Sequence, residues 1–151
     1  DITDKAKIRY KACPIEDSVQ DMKQTLYNLN NCNSNTIGIV EGVFDVWRMG
    51  DNFAATFGTG LTDGQIKALV QYEKIYWLFD PEPEAQKKAK GGADKLASMG
   101  KHIELIELDS QGRDPGDLTE EEVKVIREEL GISKRKCIAD ETLLTFCPPA
   151  P

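Results

Sequence analysis

Residues 37–49 read IGIVEGVFDVWRM, and this stretch decides the fold. Ile37 to Val40 is a short β-branched run that ends at Glu41-Gly42, after which Val43, Val46 and Trp47 recur at helical spacing. The order is strand, tight turn, helix. It repeats from Phe53 to Phe57, a second apolar run followed by the loop Gly58-Thr59-Gly60. There Thr62-x-x-Gln65 is a capping box for a helix burying Ile66, Leu69 and Val70. Lys74 to Phe79 is a third strand ended by Asp80-Pro81, and Glu84 to Met99 reads as a mainly polar helix with a soft point at Gly91-Gly92. Ile103 to Leu108 alternates apolar residues with Glu104 and Glu107, which marks an edge strand. Thr119-x-x-Glu122 then caps a last helix with Val123, Ile126 and Leu130 inward.

Strands alternating with helices imply right-handed crossovers and a mainly parallel four-stranded sheet flanked by helices, an α/β domain of Rossmann-like layout. In such sheets the binding crevice lies at the carboxyl ends of the strands. Glu41, Asp80 with Glu82, and Asp114 with Asp117 all follow apolar runs that read as strands, so the topology sends them to that edge. Carboxylates gathered there repel one another unless a cation neutralises them, which points to a divalent-metal site. Asp117, just before Thr119, suits a helix cap equally well.

The remaining chain is expected to pack around this core. Residues 1–35 read as an extension, with a possible strand over Lys7 to Ala12 and a helix over Ser18 to Leu29 burying Val19, Met22, Leu26 and Leu29. Residues 36–131 form the core domain, and 132–151 a C-terminal extension with the basic run Lys134-Arg135-Lys136, a possible short helix and a proline tail. The start at Asp1 and the end at Cys-Pro-Pro-Ala-Pro are those expected of a piece of a longer polypeptide. At 151 residues the chain can bury a core without disulfides. Its net charge of -7 requires any nucleic acid to be met through local basic patches, neighbouring domains or bound metal. Cys13, Cys32, Cys137 and Cys147 have no zinc-ligand spacing and read as reduced thiols. With no secretory h-region and no apolar stretch long enough to span a bilayer, the expected location is cytoplasmic, without membrane contact.

The segments IVEGVFDVWRMG, ATFGTGLTDGQI, IYWLFDPEPEAQKKA and GRDPGDL together resemble the Toprim domain, the metal-binding module of primases, type IA and type II topoisomerases and several small nucleases. Within that family the chain is most similar to the primase branch, including phage primase-helicases. The resemblance implies Glu41, Asp80 and Glu82 as catalytic residues and ligands of Mg2+ or Mn2+, and places Asp45, one turn after Glu41, and Asp114, in the K-D-P-x-D element, at nucleotide or DNA contact. Glu82 stands where the family usually has aspartate, and Glu84 is a rival for its role. Arg113 replaces the usual lysine and keeps a positive charge able to hold a phosphate bidentately.

The implied reaction is nucleotidyl transfer, the synthesis of RNA primers on a single-stranded DNA template. Its partners would be nucleoside triphosphates, the template, and an adjoining primase subdomain, zinc-binding module or helicase. A nuclease using the same carboxylates and a non-catalytic interaction module are the alternatives. For nucleotide or DNA contact, Gly58 and Thr59 offer backbone amides ahead of a helix, or simply a turn. Lys87, Lys88 and Lys90 offer cations, or simply a solvated face. Trp47 and Trp77 both sit at core spacing, which argues against base stacking. His102 has neither a nucleophile nor an orienting partner beside it and is given no catalytic role.

Overall fold

The computed structural model describes residues 13–58, 60–79, 83–108 and 113–132. The core elements, in chain order, are β1 (Thr36–Val40), α1 (Val43–Met49), β2 (Phe53–Ala55), α2 (Asp63–Leu69), β3 (Lys74–Phe79), α3 (Pro83–Ser98), β4 (His102–Glu107) and α4 (Glu120–Glu129). The strands form one parallel sheet in the order β2-β1-β3-β4, as the strand and helix alternation predicts.

Side chains alternate across the pleat, so each strand feeds two cores. Ile37, Ile39, Ile75 and Trp77 pack with Ile66 and Leu69 of α2 and with Ala89 and Leu96 of α3. Val40, Tyr76 and Leu78 face the other way, against Val46 and Met49 of α1 and Val123 of α4. The two central strands are covered on both faces and their apolar runs are nearly continuous, whereas β4 at the edge is largely exposed. Gly38 in β1 stands opposite Phe53 of β2, whose ring lies over it. A Cβ at position 38 would sit 2.2 Å from Phe53 Cε1, so only glycine lets the ring cover the strand. Helix α3 runs through Gly91-Gly92 without a break, because Gly92 and Ala93 are buried against the sheet and packing outweighs local propensity.

The N-terminal segment departs from the expected helix over Ser18 to Leu29. Short 3-10 turns at Met22–Gln24 and Leu29–Asn31 replace it, and Val19 is fully exposed. Asp21 accepts from Lys23 N at 2.9 Å and Asn28 is left-handed with φ of 65°, both incompatible with a continuous helix. Tyr27 instead pairs antiparallel with Ala55, its N–H donating to Ala55 O at 2.9 Å, and so covers the outer edge of β2. The expectations for Lys7 to Ala12 and for the chain beyond Ile132 lie outside the described residues.

Gln65 secures this arrangement. Its Oε1 accepts from Thr62 N at 3.0 Å, completing the predicted capping box, while its buried Nε2 donates to Met22 O, Thr25 O and Thr56 O. One amide thereby ties the N-terminal segment to α2 and to the end of β2. Arg127 does a similar task on the opposite face: it is buried, donates Nη1 to the carbonyls of Met49 and Asp51, and lies 5.5 Å from the centre of the Phe53 ring. Burial pulls its pKa down and nearby Asp51 pushes it up.

Gln65→Leu is expected to lower stability by about 2–4 kcal/mol, because the carbonyls it satisfies lose their donor inside the protein. Urea unfolding of the variant and wild type measures the difference.

Candidate active site

The carboxyl ends of β1, β2 and β3 lie along one edge of the parallel sheet. The β1–β3 register pairs Ile39 with Trp77, so carrying it on by two residues sets Glu41 level with Phe79, the last residue of β3. Glu41 is half-buried, with Oε1 shielded from solvent. Asp80 and Glu82 follow β3 in sequence but lie outside the described residues, as do Thr59 and the side chains of Glu84 and Lys88. Among the described residues no group of three metal-ligating side chains is gathered. The donors that the sequence sends to this edge are hard carboxylate oxygens, a set that fits Mg2+ or Mn2+ rather than a thiophilic metal.

Asp45, one turn after Glu41, is 7% exposed and works as a clasp. Its Oδ2 accepts from Gly42 N at 2.8 Å, at the start of α1, and its Oδ1 accepts from Gly116 N at 3.1 Å. Arg48 Nε donates to Gly116 O at 3.3 Å, so α1 holds Gly116 through both its amide and its carbonyl. Position 116 is tight for a side chain: a Cβ there would lie 3.0 Å from Asp114 Oδ1 and 3.1 Å from Asp45 Oδ1, so both carboxylates of the clasp would have to give. Sequence reasoning gave Arg48 and Gly116 no role, since neither residue signals a contact that spans the fold.

Asp114 caps the 3-10 turn Pro115–Asp117, accepting from Asp117 N at 3.1 Å. Arg113 is already paired: Nη2 lies 2.8 Å from Glu122 Oε1 and Nη1 3.4 Å from Oε2. Glu122 also accepts from Thr119 N at 2.8 Å as the third residue of α4. The Arg113 guanidinium, and then the Thr119 amide, hold the Glu122 carboxyl down to about 2, and Glu122 in turn raises the pKa of Arg113. Gly58 and Lys87 are exposed. His102 lies on β4, bonded through Nε2 to Glu104 at 2.7 Å and remote from this edge.

The two tryptophans part company. Trp77 is fully buried in the core, whereas Trp47 is 65% exposed, contrary to the core position expected of it. Five of the seven α1 residues are apolar, so periodicity alone cannot choose the inward face, and the sheet takes Val46 and Met49. Cys13 and Cys32 are free thiols, and burial pushes Cys32 up to about 12.

A family model described as Toprim-like matches residues 38–119, which include Glu41, Asp45, the β3 strand and the GRDPGDL loop. The chain belongs to this Toprim-like family. Its fold also matches the crystal structure of the Aquifex aeolicus primase, zinc-binding and RNA polymerase domains, with a TM-score of 0.62 and 27% identity over 74% of this chain. The chain spans 30% of the length of that primase. No curated protein sequence matches this chain. No helix among the described residues is long and apolar enough to cross a membrane.

Two outcomes are expected. Asp45→Ala leaves the Gly42 and Gly116 amides without their charged acceptor and should cost about 2–4 kcal/mol in chemical denaturation, with amide exchange rising first at Gly116. Because the Glu122 pKa is lowered on folding, its contribution is complete above the ordinary value of 4.5 and fades as pH falls toward about 2. Glu122→Gln should therefore flatten the loss of Tm across that acid window relative to wild type.

Proposed function

We propose that this chain is the Toprim domain of a DNA primase or primase-helicase and takes part in joining ribonucleotides into primers on single-stranded DNA. The observation that carries this reading is the likeness to the Aquifex primase, 27% identical over 74% of the chain, which comes with the Toprim-like match. In this reading Glu41, Asp80 and Glu82 hold Mg2+ or Mn2+. When bound, such ions neutralise triphosphate charge and activate the attacking hydroxyl.

The chain's own residues then have separate tasks. Glu41 follows a strand whose last four residues are buried, so its carboxylate is presented from a rigid base to bind metal or accept a proton. Asp45 and Arg48 act as positioning residues, fixing the Gly116 peptide and with it the loop that carries Asp114. Arg113, already bidentate with Glu122, contacts a phosphate bidentately by exchanging Glu122 for it or through its remaining N–H groups. Lys87, exposed on the first half of α3, and Lys88 beside it in sequence supply further positive charge for nucleotide or template. The net charge of -7 leaves the phosphate-borne, salt-dependent part of template affinity to the adjoining subdomain, zinc-binding module or helicase of the full protein.

Primer synthesis by the full-length protein, with labelled ribonucleotides and single-stranded template, tests this reading. Glu41→Gln and Asp80→Asn are each expected to lower the rate at least about 100-fold with the fold intact. Full activity in either variant overturns the assignment, and metal-dependent cleavage of DNA without nucleotide incorporation shows a nuclease instead.

A further inference from the structure

Beside the catalytic edge lies a groove of about 800 Å³ between the N-terminal segment and the end of β2. Its walls are the rings of Tyr27 and Phe57, set edge to face at 6.2 Å, and amides that include Gln20, Asn28, Asn30 and Asn31. Among the described residues, none that line it carries a charge, in a chain with 26 acidic side chains. The groove between β4 and α4 is the opposite case, with Glu107, Glu121, Glu122 and Glu129 around Arg113. A polyanion is repelled from the second groove and tolerated in the first.

The aromatic surface continues over α1. Trp47 Nε1 donates to Tyr27 Oη at 2.8 Å, and Phe44, 52% exposed, stands edge to face with Trp47 at 5.1 Å. Four rings thus run from the groove to the turn that follows Glu41. Phe57 reaches this row from a left-handed backbone, φ 61°, a conformation that disfavours a bulky residue and suits glycine. A ring kept there at that cost, and still 38% exposed, serves something other than the core.

We propose that the Tyr27–Phe57 groove and the Trp47–Phe44 surface form a stacking site for bases of single-stranded nucleic acid. Exposed rings receive base faces whatever the sequence, and the exposed amides of Gln20 and Asn30 meet base edges. Arg48, exposed beside Trp47, is the nearest cation on the same helix, so stacking dominates and the salt dependence is shallow. The proposal deepens the primase reading by giving the template strand a place next to Glu41, and it rests on that reading only for the source of the strand.

The test is fluorescence anisotropy of a labelled oligo-dT strand of about 15 nucleotides titrated with the 151-residue chain, without metal or nucleotide so that catalytic competence plays no part. Trp47→Leu is expected to weaken binding about 5- to 150-fold and Trp47→Phe less than about threefold. Phe57→Gly, which relieves the backbone, should weaken binding without lowering Tm. Saturable binding with this ranking, changing little between about 50 and 200 mM salt, supports the site even where primer synthesis by the full protein fails. Absence of binding by wild type, or equal binding by Trp47→Leu and Trp47→Phe, overturns it and leaves the catalytic reading standing. A dimer seen by sedimentation that Trp47→Leu dissociates, without DNA binding, also overturns it and makes the surface a protein interface.

Discussion

The Asp45 carboxylate joins parts of the chain that are 71 residues apart, accepting one hydrogen bond from Gly42 N and another from Gly116 N. Hydrogen bonds to a buried charge are worth more than neutral ones and cost more to break, so this contact is a strong constraint for its size. The first loop presents Glu41 and the second carries Asp114. Without the clasp the two loops would hang from different strands and sample their positions independently. With it, and with Arg48 holding the Gly116 carbonyl, the edge of the sheet becomes one surface.

That surface sits on a scaffold built for rigidity. Both central strands are buried on two faces, and the Phe53 ring of β2 lies over Gly38 of β1 in the space a side chain at position 38 would need. The N-terminal segment, which looks peripheral in sequence, is bound into the scaffold by Gln65 and by the Tyr27–Ala55 bridge. It thereby forms one wall of the aromatic groove. Among the described residues, the acidic groove at α4 contrasts with the uncharged lining of the groove at Tyr27.

The four strands and the two capping boxes were legible because each rests on a local rule: apolar runs closed by turns, and Thr-x-x-Gln or Thr-x-x-Glu before a helix. The position of Glu41 at the carboxyl edge was legible through topology, since an alternating strand and helix order sends loop residues there. The N-terminal helix was misread because its apolar spacing suits a helix, while the deciding facts, Asn28 in a left-handed conformation and Tyr27 pairing across to Ala55, are tertiary. Trp47 was misread because α1 is apolar on almost every side and only the sheet selects which side goes in. Arg48, Gly116 and Arg127 act through backbone carbonyls or a close approach, and no pattern of residue types announces such contacts.

The most direct test of the account is anomalous diffraction from crystals of this chain soaked in manganese, at an energy where the metal scatters strongly. A peak is expected within coordination distance of the Glu41 carboxylate, shared with Asp80, that disappears in an Asp80→Asn variant of unchanged fold. Well-ordered crystals with no peak beside Glu41, or a peak indifferent to the loss of the Asp80 charge, would contradict it.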